Sequence, residues 1–165
     1  MSVKSKLVFG WVTVILIADQ LTKFIVDQTM PLHHSIPIID DLFSLTYIRN
    51  TGAAFGILSG SAAAFRLPFL LLFSTVAIVF IILMLRRLPG RETGLITALA
   101  FILGGAIGNL IDRIAYGEVI DFLDFYWSRF HWPAFNLADS FITIGVVITI
   151  YYLIKAKGED PFAAA

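Results

Sequence analysis

Cysteine is absent from all 165 residues. That removes disulfides, thiolate metal sites and Cys nucleophiles from consideration. It says little about compartment, because membrane proteins are held by helix packing rather than by covalent staples. Charge is scarce as well: twelve Lys and Arg balance twelve Asp and Glu, leaving no net charge. Phosphate binding needs a basic surface and the cations here are scattered, so no nucleic acid partner is expected. Apolar residues fill the rest, at 58% of the chain with a mean hydropathy of +0.86.

These residues come in blocks rather than in amphipathic patterns. Crossing a hydrocarbon core takes roughly 20 residues of helix. Four such blocks stand at about residues 7–26, 67–85, 94–111 and 137–154. The expected fold is a single integral membrane domain over residues 1–165, all-α with a small β element. Lys4 and Lys6 precede the first block, Arg86, Arg87 and Arg91 fill the link after the second, and Lys155 and Lys157 follow the fourth. The opposite side receives Arg49, Arg66 and Arg129 with most of the acids. The positive-inside rule then puts both termini in the cytoplasm and the segments of about 27–66 and 114–136 outside. Lys4 and Lys6 before an apolar run also suit a cleavable signal peptide. The run, however, continues into Asp19, Gln20 and Lys23 where small residues are needed, so it reads as a retained helix.

Outside, Phe43, Leu45 and Tyr47 alternate with Ser44, Thr46 and Ile48 up to Asn50-Thr51-Gly52, the pattern of a strand running into a turn. Ala53, Ala54 and Gly56 leave little bulk around Phe55. This suits either strand addition by an extended peptide or a tight second strand. Residues 59–65 suit a short helix on the membrane surface, with Pro68 opening the second span. His33, His34 and His131 do not form a chelating set, since zinc needs three or four ligands; no metal and no cofactor are expected.

Ala100, Gly104 and Gly108 recur every fourth residue and form a small-residue stripe for close helix contact. The next step is Asp112, beside Asn109 and Arg113. Either an Asp112–Arg113 cluster fixes helix pairing or Asp112 takes part in chemistry. Asp19 and Lys23 have the spacing and order of a helical ion pair, although Lys23 can also snorkel outward to a phosphate. Asp139, in Asn136-Leu137-Ala138-Asp139-Ser140, sits at a helix start where an acid can cap free amides. Asp121 and Asp124 lie past the third block on the same membrane face. Two carboxyls in one site cannot both ionise. The ionised one can take a proton from water while the other hydrogen-bonds a carbonyl under attack, which is acid–base peptide hydrolysis without a metal. Spacing leaves Asp121, Asp124 and Asp112 all open as the partner of Asp139. A transporter would show repeated spans or broken helices at mid-depth, and a presenilin-type protease a Gly-x-Gly-Asp signature; neither is present.

Five segments, in order, resemble the lipoprotein signal peptidase (signal peptidase II) family of bacteria: Asp19-Gln20 with Lys23; Asn50-Thr51-Gly52-Ala53-Ala54-Phe55; Gly108-Asn109 with Asp112-Arg113; Val119 with Asp121-Phe122; and Phe135-Asn136 with Ala138-Asp139. The resemblance spans nearly the whole chain. It implies a four-helix protease that cleaves prolipoproteins before a diacylglyceryl-modified cysteine, and it selects Asp121 and Asp139 as the dyad. It further implies that Asn50, Gly52, Asn109, Arg113 and Asn136 line the site or hold substrate, with Asp19, Lys23 and Asp112 in support. Outward strands and a surface helix would cradle the substrate. The implied setting is the bacterial inner membrane with the site on its outer, periplasmic face. The implied partners are prolipoproteins, membrane lipids and cyclic-peptide inhibitors such as globomycin, and four spans suffice for a monomer.

Overall fold

The structure is a computed structural model that describes residues 2–52 and 62–156. Within them, four helices, α1 (Val3–Thr29), α2 (Ala63–Arg87), α3 (Thr93–Tyr116) and α4 (Leu137–Lys155), are each long and apolar enough to cross a membrane. All four include the blocks expected from hydropathy and mostly extend them by a turn or so. Fraying ends with polar side chains carry little hydropathy signal, so the apolar run understates the helix.

α3 is the central helix and packs against the other three. Its glycines permit this. A Cβ built on Gly104 would stand 3.1 Å from the Ile15 side chain of α1, and one on Gly105 would stand 2.4 Å from the Ala138 carbonyl of α4. On α4, Gly145 plays the reciprocal part, since its Cβ would meet the Ala98 carbonyl at 2.6 Å. The stripe read from the sequence turns Gly104 and Gly108 to α1, while Gly105, outside that stripe, serves the α4 interface. α2 joins from the other side through Ile81, Leu85 and Leu88 against Leu95, Ile96, Leu99 and Leu103. The outer faces keep large apolar side chains exposed, among them Phe9, Ile17 and Phe24 on α1 and Leu72, Phe73 and Phe80 on α2, as lipid-facing helices do.

Two expectations for α2 need correction. Residues 59–61 lie outside the described region, and residues 63–65 form the first turn of α2 rather than a separate surface helix. Pro68 does not open the span but sits inside the helix. The amides of Phe65 and Arg66 both donate to the Ala62 carbonyl, so the first turn is closed before Pro68 is reached. The ring then forfeits a single bond. Phe65, Phe69 and Phe73 stack along one side at 5.7 and 6.4 Å between centroids, bracing the turns around it.

Four antiparallel strands form a sheet in the order β1 (Ser35–Ile39), β2 (Phe43–Asn50), β3 (Val119–Trp127), β4 (Phe130–His131). β2 was legible as a strand, but its alternation breaks at Tyr47, where a register shift between Leu45 and Ile48 leaves Thr46 and Tyr47 both buried. β3 lies in a segment that the sequence presented only as a connection. Gly117 makes it possible: at φ 77° it ends α3 in a left-handed turn and bonds back to the Arg113 carbonyl. The chain is then in β3 two residues later. Val26, Met30, Tyr47, Ile120 and Phe122 fuse this sheet to the end of the bundle. The strand-addition patch at Ala53, Ala54, Phe55 and Gly56 lies outside the described residues.

At the other end, Lys4 Nζ donates to the carbonyls of Arg86 and Leu88 at 3.1 and 2.7 Å. The start of α1 and the end of α2 thus share one side, as the distribution of Lys and Arg implies. Gly105→Ala should destabilise the fold by about 1–3 kcal/mol, because the new methyl meets backbone rather than a movable side chain. Unfolding in detergent measures this; an unchanged midpoint would mean that α3 and α4 are less closely packed than described.

Candidate functional site

The bonds that build the site start at two helix termini. Asn136 is the N-cap of α4: its side-chain oxygen accepts from the Asp139 amide at 2.9 Å, while its own amide donates to Asp139 Oδ2 at 3.4 Å. This is a capping box, so the capping role read for Asp139 is real. It uses only one carboxyl oxygen, however. The other, Oδ1, accepts from Asn109 Nδ2 on α3 at 2.8 Å.

Asp121 stands opposite. β2 and β3 pair with Ile48 facing Asp121 and Asn50 facing Val119, so Asn50 is the diagonal neighbour of Asp121. Asn50 Nδ2 donates to Asp121 Oδ2 at 2.9 Å, and Asn136 Nδ2 donates to Asp121 Oδ1 at 2.7 Å. Each amide is held the right way round by a group that can only donate. The Gly52 amide takes Asn50 Oδ1 at 2.9 Å, the Asp139 amide takes Asn136 Oδ1 at 2.9 Å, and Lys23 Nζ takes Asn109 Oδ1 at 2.9 Å. All four carboxyl oxygens of Asp121 and Asp139 therefore receive a bond.

Both residues open onto one cleft of about 480 Å³, with Asn50, Asn109 and Arg113 beside them. Arg113 donates to the Gly52 carbonyl at 3.3 Å, which ties the end of β2 to α3. Val119, Phe135 and Ser140, from the sequence motifs, also line the cleft, while Trp132, Pro133 and Ala134 on the approach to α4 and Ile142, Thr143 and Ile144 on α4 itself were not singled out from sequence. Trp132-Pro133 was readable as a rigid aromatic loop, but nothing in its composition tied it to Asp121.

Asp124 is not in this cleft. It accepts from Thr46 Oγ1 at 3.3 Å and faces His131 Nδ1 at 3.1 Å, which holds β2, β3 and β4 together. Two residues along a strand point the same way, but Asp121 and Asp124 are three apart and point to opposite faces. The proposed Asp112–Arg113 cluster is also corrected: Asp112 Oδ2 lies 2.9 Å from Lys23 Nζ. Adjacent residues on a helix diverge by about 100°, so Arg113 turns to the cleft while Asp112 turns to α1. Lys23 does not snorkel outward; it is only 2% exposed and also pairs with Asp19 Oδ2 at 2.8 Å. Among the described residues no cluster of three or more His, Asp or Glu has the arrangement of a metal site.

Burial raises the Asp121 carboxyl from 3.8 to about 7, and the neighbouring Asp139 charge adds to the effect. The bonds from Asn50 and Asn136 and the charge of Lys23 oppose it.

A family model described as signal peptidase (SPase) II matches residues 11–155. The chain is 51% identical over 142 residues to the lipoprotein signal peptidase of Geobacter sulfurreducens, covering 86% of this chain and 88% of that protein. It is 47% identical over 160 residues to the lipoprotein signal peptidase of Nitratidesulfovibrio vulgaris, covering 97% and 96%. Among solved structures, a bacterial membrane enzyme determined by the in meso method at 2.3 Å resolution superposes with a TM-score of 0.78 at 31% identity, covering 93% of this chain and 90% of that one. A second, at 1.9 Å resolution, gives 0.77 at 33% identity, covering 90% and 92%.

The raised Asp121 carboxyl has a signature in stability. The folded chain binds this proton at about 7 and an unperturbed Asp at 3.8. The contribution of protonated Asp121 is therefore full below the unfolded value and lost as pH rises through the folded one. The thermal midpoint in detergent should fall across that window, and Asp121→Asn should remove part of the slope. Parallel curves for the two proteins would contradict the assignment.

Proposed function

The chain belongs to the signal peptidase II family, and from that premise we propose that it is an aspartic endopeptidase that removes signal peptides from prolipoproteins. Cleavage falls before a cysteine carrying diacylglycerol, and Asp121 and Asp139 activate the water. The observation that carries this reading is the pair itself: a buried carboxyl, Asp121, and a half-buried one, Asp139, on one cleft, each held by amide donors.

The chemistry follows from their mutual repulsion. A pair that keeps one proton presents a base and an acid at once. The ionised carboxyl takes a proton from water as it attacks the scissile carbonyl, and the protonated one hydrogen-bonds the carbonyl oxygen. The first then returns its proton to the leaving amine. Arg113, on the cleft wall, is placed to hold a substrate carbonyl, and Asn50, Asn109 and Asn136 keep the carboxyls aimed. Gly52 contributes through its amide and carbonyl.

The site lies where helices end and the sheet begins, which suits a lipid-bound substrate. Each methylene held in the bilayer is worth about 0.8 kcal/mol, so the acyl chains stay in lipid and the scissile bond is met at the interface. The chain is a multi-pass membrane protein. With Lys4, Lys6, Arg86, Arg87 and Arg91 toward the cytoplasm, the cleft opens to the periplasmic face of the inner membrane. Globomycin-type cyclic peptides would occupy the same cleft, and the working unit is a monomer in contact with lipid.

Purified wild type should cleave a diacylglyceryl-modified prolipoprotein, while Asp121→Asn and Asp139→Asn should lose at least about a thousandfold in turnover, since each removes a partner in proton transfer. Near-normal turnover by either folded variant would overturn the dyad, and dependence on Asp124 would move it. Inhibition by a chelator would restore a metal to the mechanism.

A further inference from the structure

Lys23 is almost fully buried, and its ammonium has three protons to donate. Each reaches a different acceptor: Asp19 Oδ2 at 2.8 Å, Asp112 Oδ2 at 2.9 Å and Asn109 Oδ1 at 2.9 Å. Each of those three residues also makes a bond that ends on or beside a dyad residue, in addition to bonds with Gln20 or Asn136. Asn109 donates to Asp139 Oδ1 at 2.8 Å. Asp19 Oδ1 accepts from the amide of Ala138, next to Asp139, at 2.9 Å. Asp112 Oδ2 accepts from the amide of Ile120, next to Asp121, at 3.2 Å. An ion pair that served only to join helices would need none of these.

We propose that Lys23 is a positioning residue for the reaction: through Asp19, Asp112 and Asn109 its ammonium sets the separation and mutual orientation of the Asp121 and Asp139 carboxyls. The inference rests on the dyad reading above. Asn109 shows why a lysine is required here. An ammonium only donates, so the amide must turn its oxygen to Lys23 and its NH2 to Asp139. With the ammonium gone, that oxygen keeps only the longer bond from Asn136 Nδ2 at 3.2 Å, and the restraint against the amide turning its oxygen to the carboxylate is weakened. The two backbone anchors beside Asp121 and Asp139 lose their common tether at the same time.

Misplacing a catalytic group by about 1 Å costs on the order of 100-fold. The test compares Lys23→Met, which keeps the bulk of the stem, and Lys23→Arg, which keeps the charge but not the three-way geometry, with Leu99→Ala. Leu99 is buried in the α2–α3 cluster away from the cleft and reports the effect of lost stability alone. Turnover and KM for a diacylglyceryl-modified prolipoprotein are read on the folded fraction of each, with Asp121→Asn and Asp139→Asn alongside.

A positioning role predicts that kcat falls about 100-fold in Lys23→Met with KM little changed, and that Lys23→Arg does not rescue it, while Leu99→Ala keeps kcat. Normal kcat in folded Lys23→Met, or a fall matched by Leu99→Ala, overturns the proposal. Should Lys23→Met not fold, Lys23→Arg decides by the same criterion; failure of both to fold leaves the lysine purely structural and also overturns it. Active Asp121→Asn and Asp139→Asn would instead remove the dyad reading. Inactive dyad variants beside normal Lys23 variants would remove the positioning role only.

Discussion

A buried ammonium must place all its protons on protein acceptors, and around Lys23 that requirement organises the half of the bundle nearest the sheet. Asp19 comes from the same helix and Asp112 and Asn109 from α3, so the bonds lock α1 to α3 at a fixed height. Two carboxylates share one cation there, and Gln20 meets the excess by donating to Asp112 Oδ1 at 2.9 Å. Removing one partner from such a cluster typically costs about 3–5 kcal/mol, because the remaining charge stays buried. The cluster therefore tolerates few alternatives, and the groups attached to its rim inherit its rigidity.

Close helix approach is what lets these short side chains meet. A Cβ at Gly108 would stand 2.6 Å from Asp19 Oδ2, so the absence of a side chain at that point makes room for the carboxylate. Gly105, beside that stripe, lets Ala138 come against α3, which delivers the Asn136 cap of α4 to the end of α3. Gly117 then turns the chain so that Asp121 arrives opposite. Packing, capping and turn chemistry converge on one cleft because each uses the ends of the same two helices.

How much of this was legible in the sequence depended on the range of the interaction. Apolar length located the four spans, and the placement of Lys and Arg matched the shared end of α1 and α2. The Asp19–Lys23 pair followed from i,i+4 spacing, and the capping role of Asp139 from the residues around Asn136. Non-local contacts were different. Asp112 was read against its neighbour Arg113 when its partner lay on α1, and spacing left Asp124 open until β3 showed it facing Thr46 and His131. β3 itself was hidden because two aspartates interrupt its β-branched and aromatic residues, which made a strand look like a loop. Family resemblance selected Asp121 where local chemistry could not, and Asp121 and Asp139 line one cleft while Asp124 and Asp112 turn elsewhere.

The functional account depends on a proton held by a carboxyl at neutral pH. Infrared difference spectroscopy on protein with isotope-labelled Asp, titrated across the neutral range, reads that proton directly. The expected result is a protonated-carboxyl band that persists in the wild type until the pH approaches about 7 and is lost or displaced in Asp121→Asn. A wild-type spectrum in which every Asp is already ionised well below that pH would contradict a shared-proton dyad.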